Sequence, residues 1–193
     1  MDTKIADIIN KNLRKNTDNR SKEFWSKYLK NQIEFIGVGI PRIRNIIHQV
    51  MKEYGNQSSE DYLNISYHLM LSEIAEDKLA AIILLQEHSK VIDTTATIRF
   101  IDIIFSENLI FDWNTCDWLC VRLLTPIIDS GNINEIKNIS SWHEKEYIWH
   151  ARASLVPFAQ AKNLKQYLDF LHKPMSVMIK RSERFSKTSV GWV

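Results

Sequence analysis

Turn-forming residues are scarce in this sequence, which has only 5 glycines and 4 prolines among 193 residues. An all-β sandwich or barrel needs turn signals about every 8 to 12 residues, and such signals are absent. Gly37 and Gly39 are not followed by a third glycine in dinucleotide-binding spacing, and no phosphate-loop motif occurs. The sequence therefore excludes an all-β domain and most nucleotide-dependent enzymes.

Long apolar runs, paired cysteines and paired histidines are also missing. No apolar stretch approaches the roughly 18 residues that span a bilayer, and the N-terminus lacks the continuous apolar segment of a signal peptide. Cys116 and Cys120 are the only cysteines, and no second ligand pair completes a zinc site. The six histidines form neither an H-x-x-x-H nor an H-E-x-x-H pair. We expect a cytoplasmic, intracellular protein without a metal, a cofactor or a membrane anchor.

The composition is that of a globular chain, with 45% hydrophobic and 25% charged residues and a net charge of +2. The charge nevertheless falls into three blocks. Lys and Arg outnumber Asp and Glu by 11 to 5 in residues 1–52 and by 10 to 5 in residues 131–193, whereas residues 53–130 hold 13 acids and 4 bases. The basic blocks form one positive face if the chain curls into an arc. Alternatively, each block is only the solvated face of its helices.

Apolar residues recur with helical spacing along most of the chain. The first helix is indicated by Ile5, Ile8, Ile9 and Leu13. Ser21 is the expected N-cap of a second helix, whose buried side is predicted to carry Phe24, Trp25, Tyr28 and Leu29. Pro41 suits the first turn of a third helix, which is predicted to end near Gly55. Further helices are predicted at about 60–72, 75–89, 94–107, 113–129, 144–159, 162–171, 175–181 and from about 184 onward.

These helices are short and come in pairs, and no segment alternates with the period of a strand. Paired short helices stack into solenoids, whereas a compact bundle needs longer and more uniform helices. The helix spacing suits HEAT-type repeats of roughly 40 residues. We therefore predict an all-α fold: a single α-helical repeat domain over residues 1–193, in which antiparallel helix pairs form a HEAT-like solenoid with a concave binding groove.

The sequence is rich in tryptophan for its length, with six residues of this type: Trp25, Trp113, Trp118, Trp142, Trp149 and Trp192. Core packing is the ordinary role of a tryptophan, but three of these lie close in sequence to charged residues. Residues four apart share a helix face, so Trp113 and Asp117 point the same way. Trp149 and Arg152 repeat this arrangement at a spacing of three, and Trp192 follows a stretch rich in cations at 180–187.

Five segments, spread in order over most of the chain, carry a family resemblance. The N-terminal one combines Tyr28-Leu29-Lys30-Asn31, Phe35-Ile36-Gly37 and Pro41-x-x-Arg44. The others are Glu76-Asp77-Lys78-Leu79-Ala80-Ala81-Ile82, Trp113-Asn114-Thr115-Cys116-Asp117, Trp149-x-x-Arg152 and Val190-Gly191-Trp192-Val193. In these segments the sequence resembles the AlkD-like DNA alkylation repair glycosylases, a group of HEAT-like repeat proteins.

The resemblance implies a monofunctional DNA glycosylase that hydrolyses the N-glycosidic bond of cationic N3- or N7-alkylated purines in duplex DNA. It implies Asp117 as the catalytic carboxylate, with the indoles of Trp113 and Trp192 beside the lesion. Arg152 is implied to hold a backbone phosphate. The further DNA contacts that we expect are Tyr28, Lys30, Arg44, Trp149, Lys180, Arg181, Arg184 and Lys187. The protein is expected to act as a monomer, to need no cofactor, and to recognise the lesion without flipping the base into a pocket.

The sequence departs from the family in two places. Gly39 replaces a polar side chain, and the chain ends one residue after Trp192, where relatives continue through at least one more helix. These departures favour an alternative, a non-catalytic DNA-binding relative of the same fold; a HEAT-like protein-interaction scaffold is a second one. Asp117 is alternatively an acid that favours the helix dipole, and Arg152 a surface or salt-bridged residue. If DNA is the ligand, we expect the acidic middle block to face away from it.

Overall fold

The computed structural model describes residues 2–193. The chain divides into two compact units, of which the first ends at Thr97 and the second is Ile98–Val193. Every regular element in the described residues is helical, apart from an isolated parallel bridge between Glu34 and Ile74. The all-α prediction is therefore confirmed. None of these helices is long and apolar enough to cross a membrane.

The first unit is built around one almost completely buried helix. Its helices are α1 (Asp2–Arg14), α2 (Asn19–Tyr28), α3 (Ile40–Tyr54), α4 (Ser59–Met70) and α5 (Ala75–Glu87). Every residue of α5 from Ala75 to Leu85 is buried, and this helix packs against α1, α3 and α4. A helix with apolar residues on all sides is expected in the centre of a core.

A buried carboxylate on α5 holds the loop that precedes α3. Glu76, which is 2% exposed, accepts backbone N–H hydrogen bonds from Ile36, Gly37 and Val38 at 3.0, 2.7 and 3.0 Å. Burial raises the pKa of Glu76, and these three donors oppose that effect. Glycine is required at position 37, because its φ is +89° and an added Cβ would lie 1.9 Å from the carbonyl oxygen of Asp18.

The next two residues of α5 are also charged and buried. Asp77 accepts two hydrogen bonds from the guanidinium of Arg14, at 2.9 and 2.6 Å. The ammonium group of Lys78 donates to the carbonyl oxygen of Met70 at 2.6 Å. Part of the charge in residues 53–130 is therefore internal and paired, rather than on a solvated helix face.

The predicted start of α2 is wrong, and of its predicted buried residues only Leu29 is buried. The N-cap is Asp18, whose carboxylate accepts the backbone N–H of Ser21 at 3.0 Å. No residue within α2 is buried, and the aromatic residues on its surface are Phe24, Trp25 and Tyr28. Periodicity identifies residues that share a face, but it does not say what covers them. The first turn of α2 instead packs its backbone closely against Gly37, and Leu29, which directly follows the helix, is buried.

The second unit contains shorter and more irregular helices. After α6 (Thr94–Ser106) come α7 (Trp113–Leu119), a π-helical turn (Cys120–Leu124), α8 (Thr125–Asp129), α9 (Ile133–Ser141), α10 (Ile148–Arg152), α11 (Leu168–Met178) and α12 (Arg184–Val190). Three 3₁₀ turns lie between them, at Trp142–Glu144, Val156–Gln160 and Leu164–Tyr167. Helix α10 packs against α12, and α11 packs against both α9 and α12.

Several predicted helices of this unit need correction. Helix α9 was not predicted; Asn132 caps it by accepting the backbone N–H of Asn134 at 3.1 Å. The helix predicted at 144–159 is reduced to α10 and a 3₁₀ turn. The two helices predicted around Pro174 are one, α11, because a proline removes a single backbone hydrogen bond and need not end a helix.

Other predicted boundaries are confirmed. Pro41 lies in the first turn of α3, and Gly55 ends that helix with a φ of +74°. Gly131, with a φ of +77°, follows the end of α8 as predicted. The HEAT-like solenoid, its groove and the single repeat domain stay predictions.

Candidate functional site

One face of the segment from α7 into the π-helical turn lines a pocket in the second unit. Its side chains recur at helical spacing and line a pocket of about 280 Å³ together with Trp192; they are Trp113, Asn114, Asp117, Trp118, Val121 and Arg122. Positions four apart lie on one side of a helix, and the lining residues form two neighbouring rows of this spacing, 113/117/121 and 114/118/122, so this local sequence is sufficient to assemble the strip. Trp192, which is 47% exposed, follows α12 and lines the same pocket.

Asp117 does not cap the helix on which it lies. The N-cap of α7 is Asp112, whose carboxylate accepts the backbone N–H of Thr115 at 2.9 Å. Asp117 lies one turn further on, and α7 has no acid in its first turn. The dipole-based alternative for Asp117 is therefore not supported, because another residue fills the capping position.

The carboxylate of Asp117 is held by Arg152 of α10. Nε of Arg152 donates to Oδ1 at 2.8 Å, and Nη2 donates to Oδ2 at 2.9 Å. Asp117 is 7% exposed and Arg152 is 2% exposed, so the pair is almost sealed while the carboxylate still borders the pocket. Paired planar groups of this kind fix both position and orientation.

Arg152 also reaches the C-terminal helix. Its Nη1 donates to the carbonyl oxygen of Phe185 at 2.7 Å and to the hydroxyl of Thr188 at 3.0 Å, both on α12. Its guanidinium carbon lies 5.6 Å from the ring centre of Trp192. One side chain therefore connects the carboxylate on α7 with the segment that carries the second indole of the pocket.

Burial controls the electrostatics of this site. It raises the pKa of Asp117, and the hydrogen bonds and charge of Arg152 partly oppose the increase. Behind Asp117, Cys116 is a fully buried free thiol whose pKa burial raises well above its ordinary value. Its sulfur donates to the carbonyl oxygen of Trp149 at 3.5 Å. This thiol is a packing group, since only a thiolate is a strong nucleophile.

The guanidinium that lines the pocket is that of Arg122, a residue that the sequence analysis did not identify as part of the site. The guanidinium carbon of Arg122 lies 4.8 Å from the ring centre of Trp118, its neighbour one turn earlier. Trp118 had been noted only as one of six tryptophans. The signal that would have identified both residues is their spacing, since they follow Trp113 and Asp117 on the same helical strip.

The expected DNA contacts of the second unit differ in accessibility. Lys180, Arg184 and Lys187 are exposed. The guanidinium of Arg181 is already engaged: it forms an ion pair with Glu183 at 2.6 Å and donates hydrogen bonds to two backbone carbonyl oxygens. Trp149 is a core residue, 7% exposed, with its ring centre 5.0 Å from that of Phe185.

The expected DNA contacts of the first unit lie on or near α2 and α3. Tyr28 is 57% exposed and stacks on Phe24, with ring centres 6.2 Å apart. Lys30 is exposed in the turn after α2, where its φ is +54°. Arg44 on α3 forms an ion pair with Glu87 at 2.7 Å. Among the residues that the structure describes, no group of three metal-ligating side chains is assembled.

Two comparisons with known proteins find a match, one in sequence family and one in fold. The sequence model of the DNA alkylation repair enzyme family matches residues 9–193. The solved structure of a predicted DNA alkylation repair enzyme from Enterococcus faecalis is similar in fold, with a TM-score of 0.77. Its sequence is 18% identical, and the match covers 91% of this chain and 80% of that one. No curated protein matches the chain.

Proposed function

This chain belongs to the DNA alkylation repair enzyme family, and we propose that it is a DNA glycosylase for cationic N3- or N7-alkylated purines in duplex DNA. The observation that supports the proposal best is the Asp117 carboxylate, which borders an indole-lined pocket and is fixed on both oxygens by Arg152. A carboxylate beside aromatic faces is the set of groups that a cationic nucleotide requires.

The proposed reaction is hydrolysis at C1′ of the damaged nucleotide. Alkylation has made the base cationic, so the C1′–N bond breaks with both electrons going to the base, which leaves as a neutral molecule. No general acid is needed. The sugar becomes oxocarbenium-like, water adds its oxygen to C1′, and one proton is released. The products are the free alkylated purine and an abasic site.

Asp117 acts on the sugar cation in this proposal. Two unit charges about 4 Å apart at an effective dielectric near 20 attract each other by roughly 4 kcal/mol. If that attraction exists only in the transition state, the rate gains at most on the order of 10³-fold, because the charge of Arg152 offsets part of that of Asp117. Asp117 also orients the attacking water. The bidentate contact with Arg152 supports this role, because a fixed charge costs no reorganisation when the sugar becomes positive.

The indoles of Trp113 and Trp192 are proposed to face the cationic nucleotide. An aromatic face attracts a cation by about 0.5 to 2 kcal/mol, depending on desolvation. This attraction does not depend on base identity, which suits an enzyme that reads the charge of a lesion. Both residues line the pocket beside Asp117, and an open pocket of this kind does not require base flipping.

Contacts to the DNA backbone are proposed for exposed residues of both units. The exposed candidates are Lys30, Lys180, Arg184 and Lys187, together with the ring of Tyr28. Arg44 and Arg181 already have carboxylate partners, so we expect weaker contributions from them. We propose a HEAT-like solenoid with a concave groove for DNA, and an acidic block that faces away from it.

Release of a methylated purine from alkylated duplex DNA by the purified protein tests the function. We expect time-dependent release that depends on Asp117, and DNA binding that weakens about 10-fold or more between 50 and 200 mM salt. Salt-dependent binding without release would instead identify a non-catalytic relative. No duplex affinity even at low salt would identify a protein-interaction scaffold.

A further inference from the structure

We propose that Arg122 binds a backbone phosphate of the DNA next to the lesion, from the edge of the pocket that Asp117 lines. The inference rests on the proposed function only in taking DNA as the ligand. It assigns a contact to a residue that the proposed catalytic step does not use.

Arg122 is a pocket-lining guanidinium with unused donors. It is partly exposed, and it forms no hydrogen bond or ion pair with any residue in the described part of the chain. Arg152 is the opposite case, since its Nε, Nη1 and Nη2 all donate to neighbouring groups and it is 2% exposed. For Arg152 to bind a phosphate, its existing hydrogen bonds would have to break. Arg122 can bind a phosphate without breaking any hydrogen bond.

Trp118 holds the guanidinium of Arg122 ready for such a ligand. The guanidinium carbon lies over the indole, 4.8 Å from the ring centre, and a cation–π contact of this kind uses the face of the guanidinium rather than its N–H donors. That planar fork matches two phosphate oxygens. The stack therefore reduces the freedom of a long side chain without consuming any of its hydrogen-bond donors.

The backbone at Arg122 is also unusual. Residues Cys120–Leu124 form a π-helical turn, closed by the backbone N–H of Thr125 donating to the carbonyl oxygen of Cys120. Pro126 follows directly and has no N–H to donate, which releases an acceptor in the preceding turn. π-helical turns occur frequently at functional sites. Here the turn carries Val121 and Arg122, both of which line the pocket.

The charge of the site favours an anionic group as part of the ligand. Arg152 offsets the charge of Asp117, so Arg122 leaves the site with one net positive charge. A bare cationic base would meet a like charge there. A nucleotide brings both signs, because its alkylated base is positive and its phosphodiester is negative. The indoles then suit the base, and Arg122 suits the phosphate.

The test measures duplex affinity against salt concentration for the wild type and for Arg122→Gln, Arg122→Lys and the matched control Arg99→Gln, which removes an exposed arginine on α6. Each lost phosphate contact reduces the slope of log affinity against log salt by about 0.9. We expect that reduction for R122Q, with or without a lesion, and little change for R122K or R99Q. Thermal unfolding of R122Q should differ only slightly from that of wild type, because Arg122 loses its contact with Trp118 but no hydrogen bond or ion pair.

The phosphate that Arg122 contacts can be located by neutralising the phosphates of the DNA backbone one at a time. In a series of duplexes, a methylphosphonate replaces one phosphate at a time around an abasic-site analogue. At one position the wild type should lose several-fold in affinity while R122Q loses nothing further. An R122Q slope equal to that of wild type, or equal penalties for both proteins at every position, would overturn the proposal, as would absence of DNA binding. If these differences in binding are found but no base is released, only the proposed glycosylase activity is overturned.

Discussion

Arg152 meets both carboxylate oxygens of Asp117, at 2.8 and 2.9 Å, although the two residues are 35 positions apart on different helices. The same guanidinium donates to Phe185 and Thr188 on α12. This geometry makes Arg152 a positioning residue that fixes the acid and the segment before Trp192 at once.

Arg152→Gln should therefore destabilise the fold as well as slow excision. Removing one partner of a buried ion pair leaves the other charge uncompensated, at a cost of about 3–5 kcal/mol. Urea unfolding measures this cost. In the double variant D117N/R152Q the two losses should be clearly less than additive, since both changes remove the same interaction. Full additivity would show that the pair is not coupled.

Excision should decline at low pH as Asp117 becomes protonated. Burial raises the pKa of Asp117 and Arg152 partly opposes this, so the midpoint should lie above the ordinary aspartate value of about 3.9. In the proposed reaction the ionised form of Asp117 is the active one, so kcat/KM should fall as the pH drops through that midpoint. The residual activity of R152Q should show a midpoint at higher pH, since the opposing cation is gone. A midpoint unchanged in R152Q would contradict this account.

Stability should also fall on acidification because of His150. Burial lowers the pKa of His150 to about 4; Lys145 adds to the decrease, and Asp102 opposes it. In the unfolded chain His150 binds a proton near pH 6.5. The stability that the folded state gains from neutral His150 is therefore complete above that pH and is lost as the pH falls toward 4. Urea unfolding at several pH values measures it. His150→Phe should remove this part of the pH dependence, whereas substitution of the exposed His172 should not.

Trp192 should contribute to recognition of positive charge. Trp192→Leu removes an aromatic face worth about 0.5 to 2 kcal/mol, which corresponds to roughly 2- to 30-fold in kcat/KM for a cationic lesion. Trp192→Phe should retain much of the activity. Binding of an uncharged abasic-site analogue should change less than excision does. Equal losses for Leu and Phe would indicate that indole packing, rather than its π face, is what matters.

The sequence predicted a helix at about 113–129 with Trp113 and Asp117 on one face, because helical spacing alone brings these two together. It did not predict the π-helical turn at Cys120–Leu124 or identify Trp118 and Arg122 as part of the strip. It also indicated that Trp113, Asp117 and Trp192 belong together, although only through the family resemblance. The partner of Asp117 was not predictable from spacing. Arg152 pairs with it across helices, a contact that depends on how α7, α10 and α12 pack.

The error in α2 has a similar origin. Its aromatic residues share a helical face, and periodicity alone predicted that Phe24, Trp25 and Tyr28 are buried. They are exposed because no helix among the described residues buries that face of α2, although the ring of Trp25 stacks on that of Phe35, 6.0 Å away. Helix α9 was missed for a different reason: it is only nine residues long, although Ile133, Ile136 and Ile139 recur at a spacing of three and Asn132 caps it.

Asp117→Asn tests the central claim most directly, with excision measured per folded molecule and duplex affinity measured in parallel. The amide keeps the shape of the side chain but removes its charge. The account predicts that excision of a methylated purine falls by about 10²–10³-fold. Affinity for duplex DNA should be unchanged or slightly higher, because a negative charge near phosphates is lost. Unchanged excision by the folded D117N protein, whatever its stability, would contradict the assignment of Asp117 as the catalytic carboxylate.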